Sequence, residues 1–153
     1  MTGFVFRLQS LLELRTAERD RRREELAAAL RAEQILKQQI KGIHQTVQQT
    51  RRGRRRHARP GDVNVTRLLD TQRYELVLNV QIEKMEEQLD RVGTEVARRR
   101  QATIEASREV RVLEKLRARR RAEHRAHEEK SVQRELDEIA IQRTVRKREG
   151  HDS

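Results

Sequence analysis

The sequence predicts an all-α protein in which two long helices form an antiparallel coiled-coil hairpin, the second overshooting the first. Three observations carry this. Apolar residues recur at alternating spacings of four and three from Leu78 to Leu113, through Ile82, Met85, Leu89, Val92, Val96, Ala106 and Val110, with Arg99 and Thr103 as the interruptions. A 3.5-residue repeat held this long marks a coiled-coil seam rather than one face of a globular-core helix. Of the 153 residues 40% are charged and 2% aromatic, too few rings for a globular core, while the polar residues are chiefly helix formers. Finally, the chain has one convincing break, around its only proline, Pro60.

The elements follow in order within a single coiled-coil domain spanning 1–153. Thr2 is placed to cap a first helix running from about residue 3 to 52. Phe4, Leu8, Leu11 and Leu12 share one face of it, and the apolar signal fades between Arg15 and Glu25. It returns through Leu26, Ala29, Leu30, Leu36, Ile40, Ile43 and Val47. Gly42 inside this helix costs roughly 1 kcal/mol relative to alanine. Residues 51–62 hold six arginines, two glycines and Pro60, with no acid before Asp62. Mutual repulsion and the Pro60-Gly61 pair predict a basic turn at about 53–62. Asp62 or Asn64 can cap the second helix, which shows no breaker before Gly150 and so runs over about 63–148.

A turn near Pro60 makes the numbers of facing residues add to about 120. Val47 then lies near Tyr74, Ile40 near Val80, and the Phe4–Leu12 cluster near Val110, Leu113 and Leu116. The apolar ends coincide, which favours an intramolecular hairpin over a parallel dimer. The expected seam is Phe4, Leu8, Leu11, Leu36, Ile40, Ile43 and Val47 against Ile82, Met85, Leu89, Val92, Val96, Val110, Leu113 and Leu116. From about residue 117 the second helix is expected to be an unpaired basic arm.

The net charge of +11 comes mainly from arginine, with lysine at only six positions. Arginine's planar fork suits carboxylates and phosphates, so an acidic partner is expected: a protein surface, nucleic acid or anionic lipid. There is no cysteine, and no apolar run long enough for a signal peptide or membrane span, which points to a cytoplasmic protein meeting membranes only through partners. The sequence offers no Gly-rich phosphate loop and no nucleophile with a base, so neither catalysis nor a cofactor is expected. His124 and His127 lie three apart, yet zinc needs more converging ligands, and two solvated histidines are the simpler reading. Basic runs at Arg51–Arg59 and at Arg117, Arg119, Arg120, Arg121 and Arg125 could grip phosphates, but base-stacking aromatics are nearly absent, so specific nucleic-acid binding is not expected. Tyr74 and Leu78 read either as a ring packed on Val47 or as an exposed docking pair.

The opening Phe4-Val5-Phe6-Arg7-Leu8-Gln9-Ser10-Leu11-Leu12-Glu13-Leu14-Arg15 resembles the start of the flagellar export protein family FliJ. So do Val112-Leu113-Glu114-Lys115-Leu116-Arg117-Ala118-Arg119-Arg120 and Glu135-Leu136-Asp137-Glu138-Ile139-Ala140. With the two-helix layout the resemblance covers nearly the whole chain. It implies a non-enzymatic cytoplasmic component of the flagellar type III export apparatus, an antiparallel coiled-coil stalk within the hexameric export ATPase ring. It further implies promotion of the ATPase, connection to the membrane export gate, a peripheral position at the inner membrane, and possible escort of export chaperones. By position Tyr74 and Leu78 look like the family's gate contact, with tyrosine in place of the more usual phenylalanine. The arginines from Arg117 to Arg125, spread around the helix, look like the ATPase contact. The alternatives are the equivalent stalk of a virulence-type secretion system and a basic nucleic-acid-binding coiled coil.

Overall fold

The structure, a computed structural model, describes residues 3–58, 61 and 63–149. It holds two helices, α1 (Gln9–His57, 49 residues) and α2 (Val65–Glu149, 85 residues), packed as an antiparallel hairpin. Thr2, Pro60, Asp62 and Gly150, to which the sequence assigned caps, a turn and a stop, lie outside the described residues.

Both ends of α1 differ from expectation. Residues 3–8 are not helical; the helix starts once Gln9 N–H donates to the Phe6 carbonyl and Leu12 N–H to that of Leu8. Glycine, a β-branched valine and two aromatics make Gly3–Phe6 a weak helix former. At the other end α1 continues through the arginine run to His57, where a turn was expected. Cations in the last turns of a helix are favoured by its macrodipole. Arg51 Nε and Arg54 Nη1 also donate to Glu75 on α2, the one buried charged side chain among the described residues. These two attractions outweigh arginine–arginine repulsion. The chain turns after Ala58, with Gly61 at a positive φ of 122°, a region that favours glycine. Asn64 caps α2, its Oδ1 accepting the Arg67 N–H at 3.2 Å and its carbonyl the Leu68 N–H at 3.1 Å.

The later turn moves the register. Within the region Arg19–Glu105, Arg99 Nη1 donates to the Glu25 carbonyl at 2.7 Å, and the Thr103 hydroxyl lies 3.2 Å from the Arg22 carbonyl. The numbers of these facing pairs add to 124 and 125, not to about 120. Val47 therefore packs in one cluster with Ile40, Leu78 and Ile82, joined by Ile43, Met85 and Leu89, rather than against Tyr74. Val80, expected beside Ile40, is exposed. Within α2 every position of the series Thr71, Glu75, Leu78, Ile82, Met85, Leu89, Val92, Val96, Arg99, Thr103, Ala106, Val110 and Leu113, which alternates by four and three, is buried or half-buried. The apolar seam thus extends upstream into two polar layers.

In the other region, Met1–Glu18 with Ala106–Ser153, Arg15 pairs with Glu109 at 2.9 Å. Val110, 1% exposed, is the most completely buried side chain, and Leu12 is buried in place of Leu11. Leu8 and Leu11, both expected in the seam, are each 38% exposed. The non-helical segment before α1 runs beside Leu116, Arg120, Glu123 and His124. Pairing therefore continues beyond residue 117; side chains are uniformly exposed only from 129 to 146.

These placements predict stability changes of opposite sign. A Cβ at Gly42 or Gly93 would meet no atom within 4 Å. Gly42→Ala and Gly93→Ala should each raise stability by about 0.5–1 kcal/mol by removing glycine's backbone entropy cost. Val110→Ala should lower it by about 2 kcal/mol through lost burial and the cavity left behind. Val112→Ala, on the exposed face, should stay within about 0.5 kcal/mol. Thermal unfolding followed by circular dichroism measures all four.

Candidate functional site

Two surfaces carry the residues singled out by the sequence. The first combines residues 3–8 with the α2 turns from Glu114 to Arg125. In this non-helical segment burial alternates along the chain: Phe4 and Phe6 are half-buried while Val5 and Arg7 are exposed. The Phe4 ring meets the His124 imidazole edge-on, centroids 5.7 Å apart at 62°, a favoured geometry for two rings. His124 Nδ1 also lies 3.6 Å from Glu128 Oε2. An open cavity of about 650 Å³ is lined by the segment together with Leu116, Arg120, Glu123 and His124.

All five arginines from Arg117 to Arg125 are exposed, but they fall into two sets. Arg119 Nε and Arg120 Nη1 both donate to Glu123, at 3.0 and 3.5 Å. Arg117, Arg121 and Arg125 stand one turn apart along a shallow groove of about 350 Å³ that also includes Glu114. Among the described residues none of these three makes an ion pair with a carboxylate. The five arginines spread around the helix, and within that spread Arg117, Arg121 and Arg125 share one side, because spacings of four keep to one side. On the flank of the segment, Arg117 and Arg121 also line a cavity of about 630 Å³ with Phe4, Phe6 and Gln9. The sequence reading assigned Phe6, Arg7 and His124 no part in such a surface; the alternation of Phe4 and Phe6 with outward residues was its available signal.

The second surface is the turn-proximal end of α2. Tyr74 is 51% exposed, whereas Leu78, 7% exposed, belongs to the inter-helix cluster with Val47. The pair does not form a continuous surface anchor: seam spacing carries Leu78 into the core and leaves Tyr74 outside. Val77, beside Tyr74, is exposed. Of the other expected seam positions, Ile40, Val47, Ile82, Val96 and Val110 are buried. Leu36, Ile43, Met85, Leu89, Val92, Leu113, Leu116 and Phe4 are half-buried.

Among the described residues no group of three or more metal-ligating side chains converges, and no helix is long and apolar enough to cross a membrane. The strongest ionic cluster lies elsewhere on α2. Glu95 accepts from Arg98 at 2.7 and 2.9 Å and from Arg99 at 2.6 Å. Hydrogen bonds from Arg98 and then Arg99 hold its carboxyl at about 2, against an ordinary 4.5. The bond to Glu95 in turn raises the Arg98 guanidinium above its usual value.

The family model described as flagellar FliJ protein matches residues 4–149 of the chain. No curated protein and no solved structure matches it.

The depressed carboxyl fixes a sign. A group whose folded value lies below its unfolded one contributes stability above about pH 4.5, and that contribution is lost as the pH falls toward 2. The Glu95 side-chain carbon, followed by NMR, should titrate near 2. Arg98→Gln with Arg99→Gln should return it toward 4.5.

Proposed function

Because the chain belongs to the FliJ family, the non-catalytic components of the flagellar export apparatus, we propose that it is a coiled-coil stalk for the export ATPase. It binds the hexameric ring, promotes its activity and couples it to the membrane export gate. The observation that carries this is the exposed, uncommitted stripe Arg117, Arg121 and Arg125 beside two phenylalanines. Guanidinium groups free of internal carboxylates are available to acidic side chains of a partner. Arg119 and Arg120, held by Glu123, widen the basic surface. The hairpin supports such a role mechanically, since paired helices resist bending better than one. The family match favours the flagellar over the virulence-type apparatus. With no membrane-crossing helix among the described residues, the chain reaches the inner membrane peripherally, from the cytoplasmic side and through its partners. Escort of export chaperones belongs to the same reading.

The gate contact is centred on Tyr74, with Val77 beside it. Leu78 contributes by fixing the helix under the tyrosine rather than by touching the gate.

Two sets of variants test these contacts. Arg117→Glu, Arg121→Glu and Arg125→Glu together should weaken binding to the export ATPase of the same organism at least tenfold and abolish the rise in hydrolysis rate. Unchanged stimulation overturns the assignment. Tyr74→Ala should reduce co-purification with the gate protein without changing the melting temperature. Leu78→Ala should cost about 2–4 kcal/mol of stability. A Tyr74→Ala variant that binds the gate normally removes that contact from the reading.

A further inference from the structure

Charge is unevenly distributed along the chain. The 36 residues between Glu33 and Asp70 hold nine lysines and arginines against one acid, Asp62. They carry +8 of the net charge of +11; the other 117 residues are nearly balanced, with 27 lysines and arginines and 24 acids. Seven of the nine fall between Arg51 and Arg67, where α1 ends and α2 begins. Two of these are used internally, since Arg51 and Arg54 donate to the buried Glu75. Arg52, Arg55, Arg56 and Arg67 are exposed, and among the described residues none of the four makes an ion pair. At 3.6 residues per turn Arg52, Arg55 and Arg56 cover about 100° of the α1 surface, outside the arc of Val47, Arg51 and Arg54. The uncharged side chains exposed at the same end are aliphatic: Val63 and Val65, 52% and 62% exposed, and Leu69 one turn further along α2.

We propose that the turn end of the hairpin docks directly on anionic phospholipid headgroups. Guanidinium groups suit the phosphates of lipid and of nucleic acid alike. Binding of single-stranded nucleic acid also calls on stacking rings, and the sequence has no aromatic residue between Phe6 and Tyr74. A phosphate backbone offers three exposed aliphatic side chains nothing to bury against. A lipid interface accommodates both groups, the cations among headgroups and the aliphatic tips at the acyl boundary. An acidic protein would have to hold carboxylates in fixed places to match arginines spread over this arc, whereas headgroups diffuse to each one. The inference stands on the turn end alone and holds whether or not Tyr74 meets the gate. That tyrosine lies about 14 Å along α2 from Val65, which leaves it clear of a surface met by the tip.

Each cation near an anionic membrane strengthens binding about fivefold, within a Debye length of the surface. Three arginines therefore carry a factor on the order of a hundred, and added salt removes most of it.

Co-sedimentation of the full chain with vesicles tests this. The chain should bind vesicles of phosphatidylcholine and phosphatidylglycerol in equal parts, ignore phosphatidylcholine alone, and be released as salt is raised. Arg52→Gln with Arg55→Gln and Arg56→Gln should weaken binding on the order of a hundredfold with helix content by circular dichroism unchanged. Arg117→Gln with Arg121→Gln and Arg125→Gln should weaken it less than about threefold. The chain has no tryptophan, so Val63→Trp reports on the tip: its emission should shift to the blue on the mixed vesicles, while Gln133→Trp, late in α2, should not shift. Failure to bind the mixed vesicles overturns the proposal, as does equal loss in the two arginine variants or an unshifted emission from Val63→Trp. So does release of the chain from the vesicles by double-stranded DNA at equal phosphate concentration, which would assign the tip to nucleic acid.

Discussion

The alignment of the two helices depends most on a carboxylate inside their seam. Glu75 occupies a position that the repeat reserves for an apolar residue, and it is 8% exposed. A buried charge is costly unless it is paired, and losing its partner costs several kcal/mol. Arg51 and Arg54 supply the pairing from the last turns of α1. Sliding α1 by one heptad would keep an apolar stripe facing an apolar stripe. It would also carry both arginines about 10 Å away and bring the level of Ile43 against the carboxylate. An aliphatic seam is nearly indifferent to such a slide; Glu75 is not. This is the use of buried polar groups best attested in coiled coils, the choice of register.

The second polar interruption works differently. Arg99 donates to the Glu25 carbonyl, and the Thr103 hydroxyl, 2.8 Å from the Arg99 carbonyl of its own helix, also lies 3.2 Å from that of Arg22. A helix offers such carbonyls at every turn, so these bonds satisfy half-buried polar groups in any register and select none. Their benefit is local: among the described residues no buried side-chain nitrogen or oxygen is left without a partner. The numerous surface ion pairs add little by comparison, since exposed pairs contribute at most about 1 kcal/mol each. Stability in a chain this charged rests on a narrow aliphatic strip, and specificity of pairing on one carboxylate.

This division explains what the sequence made legible. The Leu78–Leu113 seam was readable because a strict repeat needs no tertiary information, and burial follows it position by position. The register was not, because it depends on where α1 ends. Repulsion among Arg51–Arg56 argues for an early end, whereas the helix dipole and the distant Glu75 carry the helix through them. Leu78 could be read as a surface anchor because Leu76-Val77-Leu78 offers three apolar residues in a row; only the seam phase tells which one is inside. The same crowding hid the exposed Val65, Leu69, Leu76 and Val80, which sit among seam residues in the sequence and on another side of the helix in space. The segment before α1 was read as helix because Phe4, Leu8 and Leu12 fit a spacing of four; Val5, Phe6 and the missing side-chain cap were the contrary signals.

The extended start of the chain also has a consequence for recognition. Arginine alone makes a surface attractive to any acidic partner, with little selectivity. Contact residues become selective when aromatic groups exclude water around them, the combination typical of binding hot spots. On a helix Phe4 and Phe6, two positions apart, would point to opposite sides, and only one could reach α2. In the extended segment both rings turn inward, toward the helix that bears Arg117, Arg120 and Arg121. Both phenylalanines of the chain are thus gathered beside Arg117 and Arg121. The loss of one helical turn at the start of α1 is what makes that arrangement geometrically possible.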